Sequence, residues 1–408
     1  MIFATYWFIV FAGLAIPAYW LLRKPMLRLP FLGLACVVFH YHFAGPAGMA
    51  PIIVLAIATY FLARTRNRFA CTLGIVLSAF ALCFYKYTYF FIGDVLGLVN
   101  PHWAPVIEAS ARAHLTGMVA PPGGIYLFSA PLGMSFFAFE FIHYLYEVRK
   151  GATPIKNPLH FLLFSIFFPS LVAGPIKRFG QFIPALEEGA RSVGVDDVGL
   201  GLQRIALGFL KKVVIADNLT LAIDYYVPQF ATVDGLTRWT VFALIALRIL
   251  FDFSGYSDIA IGLARLLGVK LPENFNWPYA ATSIQDFWQR WHISLSSWIR
   301  DYVYIPLGGN RHGIARKIFN GLVAFSLVGL WHGPAWHFVI WGLYHGVGLA
   351  VCSNYAALPV LGPRLQTFFS RRKRTSWLLT QLFAWIGWLV FFYPVEQAWT
   401  MTKLLFQF

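Results

Sequence analysis

The chain has 408 residues, 59% hydrophobic and 18% aromatic against only 12% charged, whereas a soluble domain carries about twice that share of charge. Long apolar runs recur from end to end, which points to a polytopic α-helical membrane protein and argues against a β-barrel, whose segments of about ten residues alternate in polarity. The net charge of +15 does not mark a nucleic-acid binder, because its Lys and Arg fall in clusters that alternate with nearly uncharged loops, the positive-inside pattern.

Taken in chain order, candidate spans are 2–22, 30–45, 49–63, 69–92, 123–146, 158–173, 200–222, 239–267, 318–331, 335–353 and 377–393, about nine to eleven helices. The first run lacks a basic n-region and a small-residue cleavage site, so a retained span is expected rather than a signal peptide. Basic clusters follow the first run (Arg23, Lys24, Arg28), the third (Arg64, Arg66, Arg68) and the fifth (Arg149, Lys150, Lys156). They place the N-terminus on the extracytoplasmic side, together with a loop over 93–121 containing Pro101, Pro105, Pro121 and Pro122. Glu140 lies in an apolar span, and the stretch 174–199 reads as a polar, surface-lying cytoplasmic segment. Further on, Asp252 and Asp258 lie in the apolar span FDFSGYSDIAIG, and Arg248, four residues before Asp252, is placed to neutralise it on one helix face. Cys36, Cys71, Cys83 and Cys352 lie in or beside apolar runs without a CxxC pair, so they read as packing thiols. The whole is expected to form one membrane-embedded domain: helices to residue 92, the external loop, a core over about 120–350 and a C-terminal helix at 377–393.

Residues 268–317 are polar by the standards of this chain. Within them, IQDFWQRWHISLSSWIRDY (284–302) has helical periodicity: Ile284, Phe287, Trp288, Trp291, Leu295, Trp298, Ile299 and Tyr302 share a stripe. His292 falls at the edge of that stripe and is expected to face polar space. The following run, LVGLWHGPAWHFVIWGLYHG (327–346), carries His332, His337 and His345, and imidazoles in an apolar span mark a pathway, a partner or chemistry. The apolar run 318–331 covers about 21 Å as a helix, short of a hydrocarbon core of roughly 30 Å. Gly333-Pro334 then stops it, and 318–353 is expected to form a helical hairpin. His332 is thereby expected at a helix end inside the membrane, where irregular backbone is tolerated only if protein-buried or lining a watery cavity. Spacing alone leaves His332 open to a helix-capping role, a catalytic role or metal binding. The five-residue spacing to His337, without an acid between, is not that of a zinc-binding helix, and no metal is expected. His337 and His345 read as interhelical hydrogen-bonders.

The run NFNWPYAATSIQDFWQRWHISLSSWIRDYVYIPLGGNR (274–311), followed by GLWHG (329–333), resembles the membrane-bound O-acyltransferases, specifically their bacterial branch that exports acyl groups onto cell-surface polymers. PLGMSFFAFEFIHYLYEVRKG (131–151), FPSLVAGPIKRFGQF (168–182) and DFSGYSDIAIG (252–262) match that branch in the same order. RDYVYIPLGGNR and FPSLVAGP are similar to the alginate O-acetyltransferase type. The overall length, WGLYHG and FEFIHYLYEVRKG are more similar to the D-alanine exporters of teichoic acid modification.

The resemblance implies an inner-membrane acyltransferase with helices around a central funnel, moving an acetyl or D-alanyl group from a cytoplasmic thioester toward hydroxyls of an extracytoplasmic polymer. It implies His332 as the catalytic histidine and His292 as the second site residue, with Trp291, Ser296, Arg300, Asp301, Trp331, His337, His345 and Asp258 in supporting positions. Burial would keep His332 neutral as a general base, and His292 with Trp291 or Ser296 would orient the acyl group or stabilise the oxyanion. No tightly bound cofactor is implied, only a donor: acetyl-CoA or an acyl carrier protein with phosphopantetheine. The implied partners are membrane lipids, that donor and a periplasmic or membrane-anchored SGNH-type acyltransferase. The basic segments at 177–178, 211–212 and 308–317 would dock an acidic carrier or simply flank the membrane. A proton-coupled transporter and an inactive scaffold are the competing readings. The first calls for internal repeats, which the sequence lacks; the second sits poorly with both histidines being present.

Overall fold

The computed structural model describes residues 2–116, 131–171 and 174–407, with side chains through 111 in the first stretch. Every regular element among them is a helix, and the chain divides into two compact units: Met1–Ile205 with Ile259–Pro272, and Ala206–Asp258 with Glu273–Phe408.

The first unit contains α1 (Tyr6–Leu21), α2 (Pro25–Arg64), α3 (Arg68–Tyr89), α4 (Leu96–Val99), α5 (Trp103–Thr116), α6 (Met134–Arg149), α7 (Pro158–Ile166), α8 (Phe179–Gly189) and most of α9 (Val195–Phe209). The two runs that read as separate short spans, 30–45 and 49–63, are separate helical segments of α2, which breaks at Gly45 (φ 64°, ψ 176°). Only glycine adopts that conformation cheaply. The side chain of Asn67 caps α3 by accepting from the backbone N–H groups of Phe69 and Ala70, the usual remedy for orphan donors at a helix start. The helix then continues through a π-helical stretch, Phe90–Val95, into α4. Residues 103–116 are helical too, so the expected external loop is helix as far as residue 116; Pro121 and Pro122 lie outside the described residues.

Three cations of this unit that read as surface charge hold backbone or side-chain partners. Arg28, 9% exposed, donates to the carbonyls of Leu22, Ala190 and Arg191 at 2.9–3.1 Å. Arg64 donates to the Lys156 carbonyl at 3.1 Å. Lys177 is 2% exposed, with Nζ 2.5 Å from Oε1 of the equally buried Glu140. The stretch 174–177 is buried rather than surface-lying, because a charge this deep requires a partner.

The second unit contains α10 (Asp217–Tyr226), α11 (Gly235–Leu266, whose last turns belong to the first unit), α12 (Ile284–Arg290), α13 (Ile293–Ile299), α14 (Gly313–His332), α15 (Trp336–Asn354), α16 (Leu361–Arg371), α17 (Lys373–Phe392) and α18 (Val395–Leu405). The pairing expected between Arg248 and Asp252 does not form. Arg248 lies over the Phe392 ring, 4.0 Å from its centroid. Asp252 instead pairs with Lys212 at 2.5 Å and Asp258 with Lys211 at 2.6 Å, so the basic pair 211–212 neutralises the acids of α11. Both lysines sit on a π-helical stretch, Leu210–Ala216.

α14 and α15 form the expected helical hairpin. Gly329 and Gly342 face each other's backbone so closely that a Cβ on either would lie 2.1–2.2 Å from a carbonyl oxygen of the opposing helix. Such small-residue contacts let membrane helices approach.

Among the described residues, four continuous helices are long and apolar enough to cross a membrane: Pro25–Arg64, Arg68–Val99, Gly313–His332 and Lys373–Phe392. A fifth candidate bends by 109° between α15 and α16, and two apolar helices, Tyr6–Leu21 and Pro158–Ser170, are shorter. The protein is an all-α polytopic membrane protein. α14 starts at Gly313 rather than at 318, so its 20 residues cover about 30 Å, and a short helix is not what sets the depth of His332. Cys36 and Cys71 are buried as packing thiols, whereas Cys83 is exposed on α3.

Candidate active site

The stripe read over 284–302 is buried: Phe287, Trp288, Trp291, Leu295, Trp298 and Ile299 are each at most 7% exposed. The helix carrying it is not continuous. It breaks at His292, which takes a left-handed conformation (φ 44°, ψ 54°) between α12 and α13. A non-glycine residue there costs about 1–3 kcal/mol and needs support from its surroundings.

The support comes from Asn274, itself 0% exposed. Its backbone carbonyl accepts from the N–H of Ile293 at 3.0 Å. Its Oδ1 accepts from the N–H and the hydroxyl of Ser294 at 3.2 and 2.7 Å and lies 3.2 Å from His292 Nδ1. Asn274 Nδ2 donates to Ser257 Oγ on α11 at 3.3 Å. One side chain thus caps α13, holds the break and grips the imidazole.

The break moves His292 from the polar edge expected of it into the interior. It is 1% exposed, packed edge-on to Phe253 at 4.6 Å, and burial pushes its pKa down to about 3, so the ring is neutral. Its Nε2 is buried and has no hydrogen-bond partner among the described residues.

His332 is the last residue of α14, and Gly333 is extended (φ −168°, ψ 157°) before α15 begins at Trp336. The Gly-Pro stop therefore acts where the sequence places it. The His332 ring is half-buried in an aromatic cage, with Trp341 at 5.1 Å, Phe391 at 4.9 Å and Trp331 at 4.8 Å between centroids. Trp331 also lies 6.1 Å from the His292 ring, so one indole touches both imidazoles.

Trp291 joins the same wall through Trp388 at 4.7 Å, which stacks on Trp341 at 5.9 Å. His345, 0% exposed, accepts at Nδ1 from the Trp288 indole N–H at 3.3 Å and packs against Trp341 at 4.9 Å. That indole bond makes it the interhelical hydrogen-bonder its position suggests. His337, by contrast, lies against its neighbour Phe338, at 4.1 Å.

The remaining candidates are more peripheral. Ser296 donates its hydroxyl to the Trp291 carbonyl at 3.2 Å, so it braces the break. Arg300, 64% exposed, pairs with the adjacent Asp301 at 2.8 Å on a π-helical turn. Asp258 is held by Lys211. No three His, Cys, Asp or Glu side chains converge as a metal site among the described residues.

A cavity of about 600 Å³ opens beside α13, α14 and α15. Arg300, Asn310 and Lys317 are among its polar lining residues, and Ile293, Ile299 and Val328 among its apolar ones. Ile293 adjoins His292, and Val328 stands one turn before His332.

Sequence reasoning passed over Asn274, Trp341 and Phe391. For Asn274 the signal was the two carboxamides, Asn274 and Asn276, set among the aromatic residues of NFNWPY. For the other two there was none beyond an aromatic residue in a span.

The fold and site define a polytopic membrane protein with two histidines brought together at breaks in its helices, walled by aromatic rings. The chain belongs to the MBOAT, membrane-bound O-acyltransferase family, whose profile matches residues 131–393. It is 35% identical over 387 residues to a probable alginate O-acetylase of Azotobacter vinelandii, covering 93% of this chain and 70% of that protein. To a peptidoglycan O-acetyltransferase of Helicobacter pylori it is 34% identical, covering 78% of this chain and 61% of that protein. To a teichoic acid D-alanyltransferase of Bacillus subtilis the figures are 33%, 58% and 61%. Against a probable alginate O-acetylase of Pseudomonas aeruginosa the chain spans 52% of the relative's length, about half.

Proposed function

We propose that the protein transfers an acyl group from a cytoplasmic thioester toward hydroxyls of an extracytoplasmic polysaccharide or other envelope polymer, with His332 as general base. The observation that carries this reading is the placement of His332 at the Gly333-Pro334 break, inside an aromatic cage and against the same indole as His292. The acceptor oxygen attacks the thioester carbonyl carbon as His332 takes its proton; the C–S bond then breaks and the proton passes to the leaving thiolate. The low-dielectric wall excludes water that would hydrolyse the thioester. The cavity beside Ile293 and Val328 would take the donor's arm, with Arg300 and Lys317 in its lining to meet the phosphates of coenzyme A or of a carrier's pantetheine.

Among acyl groups, acetyl is favoured. The likeness to the alginate O-acetylase runs over 93% of this chain, against 58% for the D-alanyltransferase. Delivery is completed by a periplasmic or membrane-anchored hydrolase-type partner, and the enzyme resides in the bacterial inner membrane with its N-terminus outside.

The test is transfer of labelled acyl groups in reconstituted membranes, comparing the intact chain with His332→Ala. Acetyl-CoA and a D-alanyl-loaded carrier are supplied in parallel. Label moving from acetyl-CoA alone and lost in the variant is the expected result. Transfer unchanged in a folded His332→Ala protein would overturn the assignment of the base.

A further inference from the structure

We propose that Asn274 is a positioning residue that holds His292 as a hydrogen-bond acceptor toward the reacting groups. The inference rests on the acyltransferase reading for its consequence, but its geometry stands apart from it.

The decisive contact is the one from Ser294. A backbone N–H can only donate, so the Asn274 side-chain atom 3.2 Å from the Ser294 nitrogen must be the amide oxygen and not its NH₂ group. That contact settles the orientation of the carboxamide. The same oxygen lies 3.2 Å from His292 Nδ1. An oxygen carrying only lone pairs meets a ring nitrogen favourably when that nitrogen bears the proton, so Nδ1 is the N–H. In the neutral ring Nε2 then holds a lone pair, and it is this atom that is buried without a partner among the described residues.

The carboxamide cannot rotate to a different answer. Its NH₂ group is spent on Ser257, and a flip would set an NH₂ against a backbone N–H. The strained backbone at His292 and the rings of Phe253 and Trp331 on either side fix where Nε2 lies. A buried lone pair without a partner is costly and is satisfied by a donor that arrives with the substrates. Held this way, His292 cannot give a hydrogen bond to a developing oxyanion. It accepts one instead, from an N–H of the donor's arm or from a neighbouring hydroxyl of the acceptor that is not the attacking one. This differs from the oxyanion role that the family resemblance left open for it.

The test separates positioning from mere capping. Full-length protein labelled with ¹⁵N-histidine, in detergent or lipid, reports the tautomer of each ring. The His292 signal is identified by its absence in His292→Gln. Wild type is expected to show His292 protonated at Nδ1, and Asn274→Leu to show mixed or reversed tautomers. Asn274→Asp keeps the acceptor oxygen and should retain the wild-type tautomer. In acyl transfer, Asn274→Leu should lose about 10²-fold in kcat, the lower range for a proton-handling group, and Asn274→Asp should restore most of it. Ser294→Ala, which removes one donor to the same oxygen while leaving the backbone N–H and His292 in place, should change kcat only a few-fold. A wild-type His292 protonated at Nε2, or an Asn274→Leu protein with unchanged tautomer, would overturn the proposal whatever the activity. If the wild type transfers no acyl group, the enzyme reading fails while the tautomer still reports on Asn274.

Discussion

Gly342→Ala probes the contact on which the placement of His332 depends. A Cβ at 342 would sit 2.2 Å from the Phe325 carbonyl oxygen and 3.2 Å from Gly329 Cα; one at 329 would sit 2.1 Å from the Phe338 oxygen and 3.1 Å from Gly342 Cα. The obstacles are backbone atoms, which cannot rotate aside. The helices must part by roughly 1 Å to restore an ordinary C···O separation of about 3.3 Å. Overpacking of this kind costs about 1–3 kcal/mol. Opening the hairpin also shifts the Trp341 side of the His332 cage, and a displacement of about 1 Å at a reacting group costs on the order of 10²-fold in rate. Because a single separation relieves both contacts, adding Gly329→Ala should cost clearly less than it does alone. Gly321, on α14, is the control, since a methyl group there would meet nothing within 4 Å. Gly321→Ala should be neutral or stabilising by up to about 1 kcal/mol. Thermal unfolding in detergent reads all four proteins, and acyl transfer reads the three that leave Gly321, which lines the proposed donor cavity, unchanged. An unaltered midpoint for Gly342→Ala, or full additivity of the pair, would refute the shared-contact argument.

Glu140→Gln should destabilise the protein by about 3–5 kcal/mol by leaving the buried Lys177 charge without its carboxylate, and Glu140→Leu with Lys177→Met should recover much of it; a double variant no better than the single, in thermal unfolding, contradicts the pairing. Trp288→Phe removes the indole N–H that His345 accepts, at about 1–3 kcal/mol, read by unfolding midpoint against Trp385→Phe, whose indole N–H has no hydrogen-bond partner among the described residues. His292 has a pKa depressed by burial from 6.5 to about 3. The unfolded chain therefore takes up its proton first as pH falls below 6.5, and stability drops across the window from 6.5 toward 3, by at most about 1.4 kcal/mol per pH unit for one group. His292→Gln should flatten that slope between pH 6.5 and 4 in equilibrium unfolding, and an unchanged slope contradicts the burial of the neutral ring.

The parts of this molecule that follow from periodicity could be read from the sequence. The Gly333-Pro334 stop falls where proline chemistry requires, the stripe from Phe287 to Ile299 is buried, and 318–353 forms a hairpin. What could not be read was pairing between residues far apart in the chain. Arg248 and Asp252 share a helix face at ideal spacing, yet Lys212 takes the acid and Arg248 takes the Phe392 ring. An i,i+4 pair is worth only a few tenths of a kcal/mol, too little to hold against a tertiary partner. Lys177 read as surface charge because charge normally is; only the meeting with Glu140 makes its burial tolerable. Boundaries were legible where backbone chemistry marks them, as at the Gly45 break between the runs 30–45 and 49–63, but α14 begins five residues before its apolar stretch does.

The break at His292 is the most informative of these misses, because the stripe on either side of it is correct. Residues 284–299 bury the same face whether they form one helix or two, so hydrophobic spacing cannot distinguish the cases. What distinguishes them is Asn274, ten residues upstream of Ile284, which supplies from outside the acceptors that a continuous helix would have supplied from within. Of the three non-glycine residues with positive φ among those described, two, Trp277 and His292, belong to this segment. Strained backbone persists only where the surroundings over-determine it, and in a membrane protein irregular backbone must be buried in protein or line a cavity. Unbroken helix would carry His292 on a regular face, its ring free to choose a rotamer and a tautomer. The break trades helical hydrogen bonds for a ring gripped at one nitrogen and left open at the other. That exchange costs about 1–3 kcal/mol of backbone strain to orient one ring, which is the physical reason to look for the chemistry at this point in the chain.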